Sequence, residues 1–267
     1  DASPATTYVD YATSKSHTFF SFALGNNDVL GYATNGAYTD GATNTLTTLA
    51  TFTQRYTDFI DKLTLNNQKG VVATIPDVTE TPFFNTVTTQ LIEQGVAAKT
   101  QGVYTKIWIR TATGVRQATK DDLFGLTFNT DTLGKAVIYG NPLTAGYGLV
   151  EQNPLHDKHV LDKDEVLEVK NIIIAYNKSI KSIAANKELA VADVYDFLLK
   201  VKTGYNYNGI TISNKFITGN AFSLDGIHLT PMGYAIMANI FVDAINAKYN
   251  TRLEKVDATA YPAVLIP

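Results

Sequence analysis

The chain has 267 residues, 45% of them hydrophobic and 18% charged, enough for one large α/β domain with a substantial core. A net charge of -3 lacks the basic footprint of a nucleic-acid binder, and no apolar run reaches the length of a membrane span. The absence of cysteine excludes a disulfide framework and thiol chemistry. The first residues, Asp1-Ala2-Ser3-Pro4, do not read as a signal peptide, so any such peptide is expected to have been removed.

Residues 1–17 are polar and read as a frayed helix or connector. His17 to Leu24 is a short apolar run closed by Gly25-Asn26-Asn27-Asp28. It fits a parallel strand buried on both faces, with a functional turn at its carboxyl end. Over residues 45–63, Leu46, Leu49, Phe52, Tyr56, Phe59 and Leu63 recur at helical spacing. Val71 to Pro76 is a second buried strand, with Asp77 just past its carboxyl end, and residues 83–98 read as a Thr-rich helix.

From 100 to 160 the pattern changes. Residues 106–110 and 115–119 flank Thr113-Gly114, a hairpin signal. The rest is loop-rich and reads as an insertion without a core of its own, inside a single domain over 1–267. Its aromatic residues, Tyr104, Trp108, Tyr139 and Tyr147, read as ordinary packing or as a wall for a sugar or acyl group. Asp162-x-x-Glu165 is a capping box opening a helix with Val166, Val169, Ile173, Tyr176, Ile180 and Ile183 on one stripe. Leu189–Val194 is a third buried strand. Residues 205–222 carry two short apolar runs, read as another hairpin. Strand–helix alternation of this kind predicts a three-layer, doubly wound parallel sheet, with Gly25, Asp77 and the loop described next at one end.

That loop is Ser223-Leu224-Asp225-Gly226-Ile227-His228, followed by Thr230 as helix cap and Pro231 at the first helical position. The helix behind it carries Ile236, Ile240, Ala244 and Met237, Phe241, Ile245 at helical spacing. A three-residue gap across a tight turn brings a carboxylate to one imidazole nitrogen and leaves the other free, the base half of a nucleophilic triad. The plain alternative is a loop histidine bonded to its neighbour. At the other turn, the Asn27 amide is suited to donate to a developing oxyanion. There the plain alternative is a turn or helix-cap cluster, since Asn and Asp dominate turns.

Taken together, Gly25-x-Asn27-Asp28 after the first strand and Asp225-x-x-His228 before the last helix resemble the third and fifth blocks of the SGNH, or GDSL-type, hydrolases. The likeness runs from about Thr18 to Tyr249. The runs from Phe22 to Gly31 and from Ala73 to Val78 are similar to an exported lipase-like branch common in Bacteroidetes. The resemblance implies an SGNH-hydrolase (flavodoxin-like) α/β sheet and a serine esterase needing neither metal nor other cofactor. Its partner would be a small-molecule or glycan ester substrate. Asn27 would be an oxyanion donor, His228 the general base and Asp225 its orienting acid, while Gly25 and Asp28 shape the turn. It also implies export to the periplasm, the cell surface or the medium, in keeping with a composition rich in Thr, Asn, Tyr and Ser.

The nucleophile departs from the pattern. The family's first two blocks, which carry the serine and an oxyanion-hole glycine, precede the third block, and here the third begins at Gly25. Gly140-Asn141-Pro142-Leu143 resembles a first block, but proline replaces the serine. Ser14 and Ser16 precede the strand, and Ser223 lacks a strand–helix elbow and reads as a tether for its loop. The nucleophile is therefore unknown from this sequence. The expectation is a sheet whose amino-terminal strands are missing, completed by an amino-terminal fragment of the same protein. Thr18–Leu24 would then be an open edge, an aggregation liability that argues against a naturally short protein. The alternative is a non-catalytic carbohydrate-binding or scaffold module. His156 and His159 form a possible metal pair without an evident third ligand, and a solvated loop is the better reading.

Overall fold

The computed structural model describes residues 7–39, 41, 44–135 and 146–264. In chain order the main elements are α1 (Tyr8–Thr13), β1 (Phe19–Phe22), α2 (Asn27–Thr34), α3 (Leu49–Leu63), β2 (Lys69–Ala73), α4 (Pro82–Asn85) and α5 (Thr89–Lys99). Then come β3 (Trp108–Thr111), β4 (Gly114–Gln117), β5 (Leu123–Phe124), β6 (Val160–Leu161), α6 (Lys163–Asn186), β7 (Ala190–Ala192) and α7 (Val194–Thr203). The chain closes with β8 (Tyr205–Tyr207), β9 (Ile210–Ile212) and α8 (Pro231–Tyr249).

The central sheet has the order β1-β2-β7, all parallel, with Ser21 opposite Val71 and Val72 opposite Val191. Because side chains alternate across a strand, the two faces bury different residues. Phe20, Phe22 and Val72 join Phe52, Phe59 and Ile60 of α3 and Ile173, Tyr176 and Ile180 of α6 in one core. Val71, Ala190 and Ala192 face Ile240, Phe241, Ala244 and Ile245 of α8 on the other side. Three layers result, as the alternation of elements predicts.

Local signals set the helix starts. The Asp162 side chain accepts from the amides of Asp164 and Glu165, and Glu165 reaches back to the Asp162 amide, so the capping box is complete. Thr230 accepts from the Gly233 amide at 3.0 Å and Pro231 sits at the start of α8. The 83–98 helix is in fact two, because Thr88 caps a fresh start by accepting from the Leu91 amide. Val194 belongs to α7 rather than to the third strand, since Asp193 ends the strand and accepts from the Asp196 amide. The 205–222 hairpin closes at β9, and the second apolar run is a turn.

One expectation fails in the 100–160 segment. It has a core: Ile107, Ile109, Phe124, Tyr147, Leu149, Leu155 and Val160 are buried together with Ile92 and Val96 of α5. These residues sit in loops and short strands, where burial leaves no periodicity to read. Gly140 to Ala145, the resemblance to a first block, and Tyr139 lie outside the described residues.

Candidate active site

Gly25 follows β1 at φ +120, and a Cβ there would lie 2.7 Å from Ile75 Cδ1 and 3.1 Å from the Phe52 ring. Only glycine lets the turn pass between β2's exit and α3. The Asp28 amide donates to the Gly25 carbonyl at 3.1 Å, closing the turn, and Asn27 is the first residue of α2. Asn27 is exposed, and its side chain makes no hydrogen bond among the described residues. The Asn26 side chain does not cap α2; the Val29 and Leu30 amides donate instead to the Asn26 carbonyl, at 3.3 and 2.9 Å.

At the second turn, Phe222 and Leu229 form an antiparallel bridge. The Ser223 amide donates to the His228 carbonyl at 2.8 Å, and the Gly226 amide to the Ser223 carbonyl at 3.0 Å. Inside this closed loop Asp225 Oδ1 accepts from the amides of Ile227 and His228, each at 2.9 Å, and from the Ser223 hydroxyl at 2.8 Å. Asp225 Oδ2 lies 2.6 Å from His228 Nδ1. An ionised carboxylate only accepts, so Nδ1 carries the proton and Nε2 is the basic nitrogen. Burial pushes the Asp225 carboxyl up, but the donors from Ile227, His228 and Ser223 outweigh it and hold it well below the usual carboxylate range. His228 Nε2 has no partner among the described residues, and the side chain is 68% exposed.

Both turns stand at the carboxyl end of the sheet. The loop is joined to the segment after β2 by the Phe83 amide, which donates to the Gly226 carbonyl at 3.0 Å. That segment, turn Val78–Glu80, packs on α2. Asp77, just past the carboxyl end of β2, is a cap: it is buried and accepts from the Thr79 amide and hydroxyl. Asp225 and His228 are in direct contact, whereas Asn27 makes no hydrogen bond to either. Sequence reasoning missed the Phe83 contact, and it missed Glu80, which accepts from Lys170 of α6 at 2.8 Å and Lys202 of α7 at 2.9 Å. The one local clue was the glycine between the acid and the histidine.

The sequence model of the GDSL-like Lipase/Acylhydrolase family matches residues 5–241. The chain belongs to that family. Membership assigns this GDSL-like chain to a group of ester hydrolases, on the α/β sheet described above. No curated protein and no solved structure matches it.

Away from the two turns, the histidine pair of this family member is a packing feature. The His156 ring stands edge-on to Tyr38, and its Nδ1 accepts from the Lys158 amide. His159 lies edge-on to Phe128 and Tyr147. Burial lowers both, His159 to about 4, which leaves them neutral at pH 7. Among the described residues no group of three or more His, Cys, Asp or Glu could hold a metal ion. No described helix is long and apolar enough to cross a membrane.

Proposed function

We propose that the protein is a serine esterase in which this chain supplies His228 as general base, Asp225 as its orienting acid and Asn27 as an oxyanion donor. The nucleophilic serine comes from a segment outside this sequence. The observation that carries the reading is the 2.6 Å Asp225–His228 contact with Nε2 left open. Nε2 takes the proton of the serine hydroxyl as its oxygen attacks the ester carbonyl carbon. The Asn27 amide donates to the oxyanion that forms. Collapse expels the alcohol, which leaves with the proton from His228. Water then repeats the sequence, releasing the acid and restoring the serine.

Two facts support an external nucleophile. Among the described residues no serine hydroxyl bonds to His228 Nε2, and the nearest in sequence, Ser223, is committed to Asp225. Among the described residues the outer edge of β1 has no strand partner, and a groove of about 430 Å³ runs along it beside Tyr8, Ala12, Phe19 and Leu24. A parallel strand added there would end beside Gly25, level with both turns. The amino-terminal part of the same protein is the proposed occupant.

The proposed substrate is a short acyl ester on a polar carrier, such as an acetylated glycan. The segments most free to shape specificity, 101–160 and 205–222, are rich in Tyr, Asn and Thr and carry no long apolar lid. Export to the periplasm or cell surface belongs to the same proposal, and cell fractionation tests it. A chain-length series of esters on the complete protein tests the substrate: a peak at acetyl supports it, and activity rising toward long chains rejects it. Residues 1–267 alone are expected to be inactive. Robust activity from them, lost in His228→Ala, overturns the external nucleophile. Sugar binding without hydrolysis by the complete protein would instead make this a binding module.

A further inference from the structure

We propose that Gly226 is a positioning residue for His228, acting through a backbone brace to Phe83 at the start of α4. The inference rests on reading His228 as the base, but it concerns how the imidazole is held, not what it reacts with.

Three observations converge on this residue. First, Phe83 follows Pro82, which has no N–H, so the Phe83 amide is the first donor that α4 offers, and helix geometry leaves it without an internal partner. It is spent on the Gly226 carbonyl, at 3.0 Å. Second, Gly226 has φ +71, and a Cβ there would lie 2.8 Å from Phe83 N, 3.1 Å from Phe83 Cα and 3.2 Å from Leu126 Cδ2. Two of those three atoms are backbone of a helix whose neighbouring side chains are buried, so they cannot step aside. Third, the Ile227 and His228 amides reach back over Gly226 to Asp225 Oδ1. A rotation at residue 226 therefore swings both donors away from the carboxylate, and the Asp225–His228 ring contact goes with them.

The brace also ties the loop to the rest of the fold. The preceding turn, Val78–Glu80, is held by the Glu80 carboxylate to Lys170 and Lys202, and by the Glu80 carbonyl to the Asn214 amide. Through Phe83, a solvent-exposed histidine inherits the rigidity of α6 and α7.

The test reads the imidazole and the brace in residues 1–267, so it does not depend on ester hydrolysis. A failure of esterase activity and a failure of positioning are thereby separable. Nitrogen NMR of His228 in the wild-type chain is expected to show one neutral tautomer, protonated at Nδ1. Gly226→Ala is expected to mix the tautomers and to speed hydrogen exchange of the Phe83 amide by about tenfold or more, as local opening would. Gly226→Asn separates conformation from contact, because Asn tolerates positive φ but still carries a Cβ. It is expected to behave like Gly226→Ala, and a wild-type spectrum from it overturns the brace. Gly209→Ala is the control, a positive-φ glycine with open space around it, expected to leave His228 unchanged. The same tautomer shift in Gly209→Ala would overturn the proposal. Should the Gly226 variants not fold, the wild type still decides. Scalar coupling across the hydrogen bond from Phe83 N to the Gly226 carbonyl carbon is expected, and its absence overturns the inference.

Discussion

The side chain of Asn177, buried in the middle of α6, closes both backbone hydrogen bonds of Ile75. It accepts from the Ile75 amide at 2.7 Å and donates to the Ile75 carbonyl at 2.8 Å. Ile75 lies just past β2, where the strand ladder has ended, and among the described residues no backbone group supplies these bonds. Asn177→Ala strands a buried donor and acceptor together, and is expected to cost roughly 2–4 kcal/mol. Urea unfolding followed by far-UV circular dichroism measures it, and a loss below about 1 kcal/mol would mean that water replaces the amide.

Asp225→Asn probes the tautomer without removing bulk. The amide oxygen can keep the bonds from the Ile227 and His228 backbone, while its NH₂ group faces Nδ1. Nδ1 must then accept, so the proton moves to Nε2 and the base is blocked. In the complete protein turnover is expected to fall by about 10³–10⁴-fold with KM little changed. Steady-state kinetics checks it. Retention of more than a tenth of wild-type turnover would remove Asp225 from the role given to it.

Asn27→Ala is expected to leave α2 intact, because the side chain is exposed and makes no hydrogen bond among the described residues. If its amide meets the oxyanion, turnover falls by about 10²–10³-fold, again with little change in KM, since the contact exists only in the transition state. An unchanged thermal midpoint with unchanged turnover would reduce Asn27 to a turn residue.

Stability should fall with rising pH across the neutral range, because of Glu165. Burial first, then the nearby charges of Asp162, Asp157 and Glu168, push its carboxyl up to about 8 against an ordinary value of 4.5, with the Asp162 amide opposing. A group raised in the folded state contributes stability fully below its unfolded pKa and loses it as pH rises through the folded one. The window therefore runs from about 4.5 to 8. Glu165→Gln keeps an acceptor for the Asp162 amide and is expected to flatten the thermal midpoint over that window. Asp225 acts in the opposite sense, since its lowered pKa contributes stability above the ordinary carboxylate range that is lost in acid. A Gln variant with the wild-type slope would assign the pH dependence elsewhere.

Much of the local structure was legible because its partners lie a few residues apart. The Asp162–Glu165 box, the Thr230-Pro231 start and the Asp225–His228 pair each fall within reach of one short segment, whose geometry is set by its own residues. The stripes of α3, α6 and α8 were readable because a helix facing a sheet must repeat its apolar residues every three or four positions. The core of Ile107, Tyr147 and Leu155 was not, because irregular backbone buries side chains without a period. Tertiary structure alone brought Asn177 to Ile75, Lys170 and Lys202 to Glu80, and Phe83 to Gly226. Two of these three contacts use backbone amides or carbonyls, which nearly every residue carries, so no residue type marks them in advance. Which amide meets which carbonyl across a hundred residues is set only when the layers pack and water is excluded, and that packing determines how firmly the exposed His228 is held.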